Sequence, residues 1–115
     1  MNNKTQENKK LLLQDLCARL PYGVKITDGL NVIKTDPFIS IGVFVYDGKW
    51  KPYLRPMSSM TEKERKEYKH LVAFSGSPDG ATNFTDWLNA HHFDHRGLIE
   101  KGLAIEVTEK NNPYK

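Results

Sequence analysis

The stretch from Ile39 to Thr61, ISIGVFVYDGKWKPYLRPMSSMT, constrains the fold most, because two alternating segments flank its Asp47-Gly48 dipeptide. Asp-Gly tolerates positive φ at both positions, which the type I′ turn of a two-residue hairpin requires. The pattern therefore predicts a β-hairpin over residues 39–55. Pro52 in its second strand lacks a backbone donor, so we expect this strand at an edge of the sheet.

Alternation separates the predicted hairpin into two faces. The face expected against the core is apolar and holds Ile41, Val43, Val45, Trp50, Pro52 and Leu54. The outer face is aromatic and basic, and its candidate binding residues are Phe44, Tyr46, Lys49, Lys51, Tyr53 and Arg55. Such a face is compatible with three interpretations: rings covered by a helix, a surface for a protein partner, or a surface that stacks bases and holds phosphates.

Composition indicates one ordinary domain. The chain has 115 residues, of which 38% are hydrophobic and 27% charged, enough for a single core over residues 1–115. The polar ends, residues 1–5 and 109–115, are expected to be flexible. A net charge of +3 is a mild basic bias, well below that of a dedicated nucleic-acid binder.

The single cysteine and the N-terminal sequence bear on the compartment. Cys17 cannot form an internal disulfide, which fits a reducing environment. The apolar run at residues 11–13 is interrupted by Gln14 and Asp15, so neither a signal-peptide core nor a membrane span is expected. We therefore expect a cytoplasmic protein.

The N-terminal half predicts a helix and a second hairpin. Leucines and Cys17 recur at spacings of three and four over residues 12–20, the pattern of an amphipathic helix, and Cys17 is expected to be buried. Pro21 and Gly23 end this helix. Residues 24–35 predict a weaker hairpin about Asp28-Gly29.

The C-terminal half predicts two helical segments and a strand. Ser59 with Glu62 and Thr61 with Glu64 form two overlapping capping boxes before a charged helix. Residues 75–83 are loop-like, and residues 84–92 carry a short helical stripe. Gly102 is expected to end a helix before the strand 103–107. The predicted fold is α+β: an antiparallel sheet of four to five strands, a meander with the central hairpin 39–55, packed with an N-terminal amphipathic helix and two further helical segments.

The densest group of chemically reactive side chains is the segment AHHFDHR. His91 and His95 are weak candidates for metal ligands, because a pair four residues apart needs further ligands from elsewhere. The alternative is a helix end followed by a short turn capped by Asp94, and it fits the same residues better. No Ser, His and Asp spacing resembles a nucleophile elbow. We expect no metal, no cofactor and no enzyme activity.

Three strings carry a resemblance: LCARLPYGV, KPYLRPMSSMTEKERKEYK and FDHRGLIEKGLAIE. In this order they resemble a family of short uncharacterised proteins associated with gut Bacteroidetes, their phages and their mobile elements. The resemblance implies a genomic setting and brings no activity, cofactor or catalytic residue. Together with the residues above, it suggests a small non-catalytic accessory protein that binds a host or element-encoded protein. The alternative is a nucleic-acid-binding regulator that uses the basic-aromatic hairpin face.

Overall fold

Helices and a β-sheet alternate along the chain, which confirms the predicted α+β class. The computed structural model describes residues 3–36, 41–73 and 85–114. Within them, the helices are α1 (Asn3–Arg19), α2 (Ile41–Asp47), α3 (Glu62–Ala73) and α4, of which residues 85–90 are described. The strands are β1 (Lys25–Thr27), β2 (Val32–Lys34), β3 (Lys51–Leu54) and β4 (Ile105–Glu106). No helix in these three ranges is long and apolar enough to cross a membrane.

The strands form a mixed sheet in the order β2-β1-β3-β4. β1 and β2 are antiparallel, with Ile26 opposite Ile33, which confirms the predicted hairpin about Asp28. β1 is also antiparallel to β3, whereas β3 and β4 are parallel, with Tyr53 opposite Ile105. The expectation of a wholly antiparallel sheet is wrong at this last pair, because the long connection through α3 and α4 returns the chain in the same direction.

The predicted hairpin over residues 39–55 is wrong, because Ile41–Asp47 is helix α2. Gly48 does adopt a left-handed backbone, with φ 78°, but it ends the helix, and its N–H donates to the Val45 carbonyl oxygen at 3.2 Å. Left-handed glycine is a common helix C-terminus. Residues 39 and 40 lie outside the described residues, as does the predicted loop 75–83.

Strand β3 lies inside the sheet, so its predicted edge position is wrong. Pro52 is buried opposite Ile26 of β1. The Leu54 carbonyl accepts a hydrogen bond from the Val107 N–H at 2.8 Å. Alternate residues of a strand direct their backbone polar groups to the same side, so the backbone nitrogen of Pro52 also faces the β4 side. β4 begins only beside Tyr53. The missing donor of Pro52 therefore falls before the parallel ladder starts.

Helix α1 confirms the predicted N-terminal helix and packs Leu12 and Leu16 into the core. The buried stripe continues through Asp15 and Arg19, while Cys17 is exposed. The expected burial of Cys17 is therefore wrong. Asp15 and Arg19 can lie inside because they are one turn apart and pair with each other, and this stripe turns Cys17 outward.

Helix α3 begins at the second of the two predicted capping boxes. The Thr61 N–H donates to Glu64 Oε1 at 2.9 Å, and the Glu64 N–H donates to Thr61 Oγ1 at 3.1 Å. Beside the main core, Met60, Leu88 and Phe93 form a second buried apolar cluster that joins α3 to α4. The charged helix is thus held by its cap and by a narrow contact with the rest of the chain.

The C-terminal region consists of turns and one short strand. Gly102 is left-handed, with φ 73°, but it closes a turn rather than a helix, and its N–H donates to the Ile99 carbonyl at 3.1 Å. The predicted strand over 103–107 is reduced to β4. Tyr114, in the tail expected to be flexible, hydrogen-bonds to the backbones of β1 and β3.

Candidate protein-binding groove

The six residues predicted to share a binding face do not lie on one surface. The structure places Phe44 and Tyr46 on α2, Lys49 in the following loop, Lys51 and Tyr53 on β3, and Arg55 just after it. The outer hairpin face required two paired strands, and the first of them is a helix. The predicted hairpin face is therefore absent, and the six residues take separate roles.

Phe44 and Tyr46 diverge because a helix turns by about 100° per residue. Phe44 is half-buried and packs edge to face on Trp50, with ring centroids 4.9 Å apart. Tyr46 is 82% exposed. The Lys9 ammonium lies 5.1 Å from the centre of the Tyr46 ring, a cation–π contact between α1 and α2.

Arg55 is fully engaged inside the protein. Its Nη1 and Nη2 donate to the two Glu64 oxygens at 2.9 and 2.7 Å, and its guanidinium lies 4.2 Å from the centre of the Phe93 ring. The hydrogen bonds from Arg55 lower the pKa of Glu64 to about 2. Since Glu64 also caps α3, Arg55 ties β3 to that helix and is not available as a binding anchor.

A groove of about 870 Å³ separates α1 from α2. Its α1 wall includes Lys9, Lys10 and Leu13, and its α2 wall includes Val43, Val45 and Tyr46. Val45 is buried and forms the floor, whereas Leu13, Val43 and Tyr46 are 37%, 67% and 82% exposed. Large apolar side chains that face solvent together are typical of interaction sites.

The groove continues past the end of α2. A neighbouring depression is lined by Val43, Tyr46 and Trp50, and a smaller one of about 170 Å³ by Lys9, Val45 and Trp50. Because the three share these residues, they form one apolar channel from Leu13 to Trp50. We call this channel the α1–α2 groove.

The rim of the α1–α2 groove is basic. Lys9 and Lys10 lie along the α1 wall, and Lys51 lies at the Trp50 end. Among the lining residues, Asp47 is the acidic one. The groove therefore presents an apolar floor bordered by excess positive charge.

The two weak metal candidates are directed to different partners. His91 Nδ1 lies 2.9 Å from the Trp87 carbonyl oxygen, and His95 Nε2 lies 2.8 Å from Asn89 Oδ1. The described helix ends at residue 90, so the expected common helix face is absent. In the parts of the chain that the structure describes, no three His, Cys, Asp or Glu residues are grouped to hold a metal.

Asp94 acts as the predicted turn cap. Its Oδ1 accepts the Leu98 N–H at 2.8 Å, and its Oδ2 accepts the Ile99 N–H at 3.0 Å. Both carboxylate oxygens are therefore occupied by backbone donors. This cap shapes the segment after α4.

Beneath this segment lies a buried polar cluster around Asp15. Asp15 accepts the Arg19 Nε–H at 2.7 Å and the Arg96 Nη1–H at 2.9 Å, and Arg19 Nη2 donates to the Phe93 carbonyl at 2.6 Å. His92 lies close by, and burial, followed by the nearby Arg19 charge, lowers its pKa to about 4. The cluster joins α1 to the segment after α4 and leaves Asp15 no free oxygen for chemistry.

The groove residues that sequence reasoning missed are Lys9, Lys10, Leu13 and Val43. Val43 can be recognised only when α2 is a helix, because it then points away from the Ile41 and Val45 side. Leu13 lies outside the stripe that Leu12 and Leu16 define, but one exposed leucine does not indicate a site. No family model, curated protein or solved structure matches this chain.

Proposed function

We propose that the protein is a small non-catalytic accessory protein of a phage or mobile element, and that it binds a host or element-encoded protein through the α1–α2 groove. The observation that carries this proposal is the exposure of Val43 and Tyr46, at 67% and 82%, beside an apolar channel. Leaving these side chains in water forgoes about 25 cal/mol for each Å² of apolar surface that a partner would cover.

The state of the polar groups supports binding rather than catalysis. Asp15 is buried and paired with Arg19 and Arg96, while Glu64 is paired with Arg55. A carboxylate held by a guanidinium is a poor general base, because the pairing stabilises its charged form. These groups hold elements together and do not converge on an open cavity.

The proposed setting rests on other features. The resemblance of the three strings described above supports a phage or mobile element. The thiol of Cys17 is exposed, and an exposed free thiol suits a reducing compartment such as the cytoplasm. A cytoplasmic partner is part of the proposal for that reason.

The alternative, a nucleic-acid-binding regulator, depended on the hairpin face. Phe44 packs on Trp50, and Arg55 pairs with Glu64, so neither is placed to stack a base or hold a phosphate. Protein binding therefore remains the favoured function. Nucleic acid becomes an outcome of the test.

The test is affinity recovery from the native host with groove variants. Val43→Glu and Tyr46→Ala change exposed groove residues, and Leu30→Ser changes a residue that is 93% exposed on the β1–β2 turn. All three should fold, because none is buried. We expect the parent and Leu30→Ser to recover the same protein, and the groove variants to recover several-fold less.

Two results would overturn the proposal. The first is equal recovery by the parent and the groove variants. The second is that the recovered material is nucleic acid, which nuclease treatment removes and Val43→Glu leaves unchanged in amount. Thermal melts of each variant show whether lost recovery reflects lost folding.

A further inference from the structure

The α1–α2 groove has the shape and the charge of a receptor for one kind of segment. Building on the proposed function, we propose that it binds an acidic amphipathic helix of the partner protein. The apolar stripe of that helix would lie on the exposed side chains Leu13, Val43 and Tyr46, and its carboxylates would lie along the lysine rim. Two observations lead to this occupant: the helical walls of the groove and its lysine rim.

The walls favour a helix over an added strand. Both walls of the groove are helices and present side chains rather than a strand edge, so a partner is recognised there mainly through its side chains. β3 lies at the far end, where β1 pairs with Lys51 and Pro52, and Pro52 has no N–H to offer a strand added on its other side. An apolar groove between side chains is suited to a helix with anchors at i, i+3, i+4 and i+7.

The lysine rim specifies the charge of the occupant. Lys9 and Lys10 follow the α1 wall, Lys51 closes the Trp50 end, and Asp47 is the acid among the lining residues. The Lys9 ammonium also lies 5.1 Å from the centre of the Tyr46 ring. Acidic side chains beside the apolar stripe would meet these cations, which favours association and orientation.

The same rim disfavours a second copy of this chain. A two-fold dimer brings the same surface of both subunits together, so two basic rims would share one interface with no acidic rim opposite them. Like charges placed together across an interface cost free energy. The concave form also disfavours a membrane, because interfacial binding needs apolar groups that project into the lipid.

Gly42 provides a way to block the groove without harming the fold. It lies on the α2 wall, and a Cβ added there would meet no atom within 4 Å. Its helical position favours any longer residue over glycine. Gly42→Gln should therefore fill the groove from inside, while Gly42→Ala is the matched control that leaves it open.

The experiment is a selection from displayed helix-forming peptides of about 18 residues, or roughly 27 Å of helix, with randomised apolar and flanking positions. We expect enrichment of peptides with an apolar stripe flanked by Asp and Glu. Their Kd should rise more than tenfold with Gly42→Gln and stay near the parent value with Gly42→Ala. Binding of the same peptides to Lys9→Gln/Lys10→Gln should weaken about 2- to 30-fold at low salt. Lys63→Gln/Lys69→Gln on α3, with the same change in net charge, should have little effect.

The inference is overturned by a selection that enriches no peptide, that shows no acidic bias, or that yields peptides insensitive to Gly42→Gln. It is also overturned if the chain alone dimerises, or binds vesicles rich in anionic lipid, and Gly42→Gln abolishes that association. If the inference fails but Val43→Glu still abolishes recovery of the native partner, the proposed function stands and only the choice of an acidic helix is wrong. If neither peptide binding nor partner recovery depends on the groove, the proposed function and the inference both fail.

Discussion

The hydroxyl of Tyr114 donates a 2.7 Å hydrogen bond to the carbonyl oxygen of Tyr53 on β3. The hydroxyl oxygen of Tyr114 in turn accepts the Lys25 N–H of β1 at 2.9 Å, and the Tyr114 ring stacks on His92 with centroids 3.9 Å apart. A side chain near the C-terminus thus bridges two neighbouring strands, one residue beyond the last pairs that join them. Burial raises the pKa of this hydroxyl, which keeps it a donor at all ordinary pH values.

Tyr114→Phe should destabilise the fold by about 1 to 3 kcal/mol, because it leaves the Lys25 N–H and the Tyr53 carbonyl without their partner. Urea unfolding measures this as a lower midpoint with an unchanged slope. Tyr46→Phe, which removes an exposed hydroxyl, is the control and should change stability by less than about 0.5 kcal/mol. Equal midpoints for the two variants would show that the bridge contributes nothing.

The sequence predicted features whose signal is local. The capping box of Thr61 and Glu64 was identified because both reciprocal bonds lie within four residues. The turn at Asp28 was identified for the same reason, since its side chain accepts the N–H groups of Leu30 and Asn31. Such patterns need no knowledge of the rest of the fold.

Helix α2 was missed because its sequence fits two periods. Ile41 and Val45 are four residues apart, so they share a face in a strand, where every second residue does, and also in a helix, where every fourth residue does. Only Val43 distinguishes them, since a helix turns it about 160° from Val45, and it is 67% exposed. Gly48 is equally ambiguous, because a hairpin turn and a helix end both use positive φ.

Features that join distant segments were not predictable from local pattern. The parallel pairing of β3 with β4, the Tyr114 bridge and the approach of Arg96 to Asp15 all join residues far apart in sequence. The candidate site shares this character. The sequence predicts Tyr46 of its α2 wall and Lys51 of its lysine rim as binding residues, but the other rim lysines, Lys9 and Lys10, come from α1.

Breaking the buried ion pair should be costly. Arg19→Met leaves Asp15 buried with Arg96 alone, and we expect a loss of about 3 to 5 kcal/mol. Asp15→Leu combined with Arg19→Met removes both charges and should cost much less than the sum of the single changes. Arg96 tolerates the loss of its Asp15 partner because its side chain is 22% exposed and can reach water. Additive losses in a double-mutant cycle would contradict a coupled pair.

Acid should weaken the fold through His92 before it protonates most carboxylates. The folded pKa is about 4, below the ordinary 6.5, because burial disfavours the imidazolium. The unfolded chain therefore binds the proton first, so stability is full above pH 6.5 and falls as the pH decreases toward 4. His92 is partly solvated, which limits the expected loss to roughly 1 to 2 kcal/mol.

Urea melts between pH 7.5 and 4.5 measure this dependence. His92→Asn is the matched variant, because asparagine tolerates the left-handed backbone at φ 63° and does not titrate. The slope of stability against pH should be shallower in the variant. His95, whose pKa burial also lowers, accounts for part of the slope that remains. Identical slopes in the parent and the variant would exclude His92 as the source.

The last prediction concerns α2, on which the groove depends. In a helix, Gly42→Ala should stabilise the protein by up to about 0.5 kcal/mol, because alanine loses less backbone entropy and a Cβ at this position meets no atom within 4 Å. The gain is smaller than in a helix interior because Gly42 is the second residue of α2. Val43→Ala should be neutral or slightly stabilising there, since Val43 is mostly exposed and alanine is the better helix former. In the strand of a hairpin, Val43→Ala would instead be destabilising, because β-branched residues are favoured in strands. Urea melts of the two variants, with backbone carbon chemical shifts over residues 41–47, decide between these outcomes. Loss of stability in Val43→Ala with strand-like shifts would remove α2, and with it the wall that forms the groove.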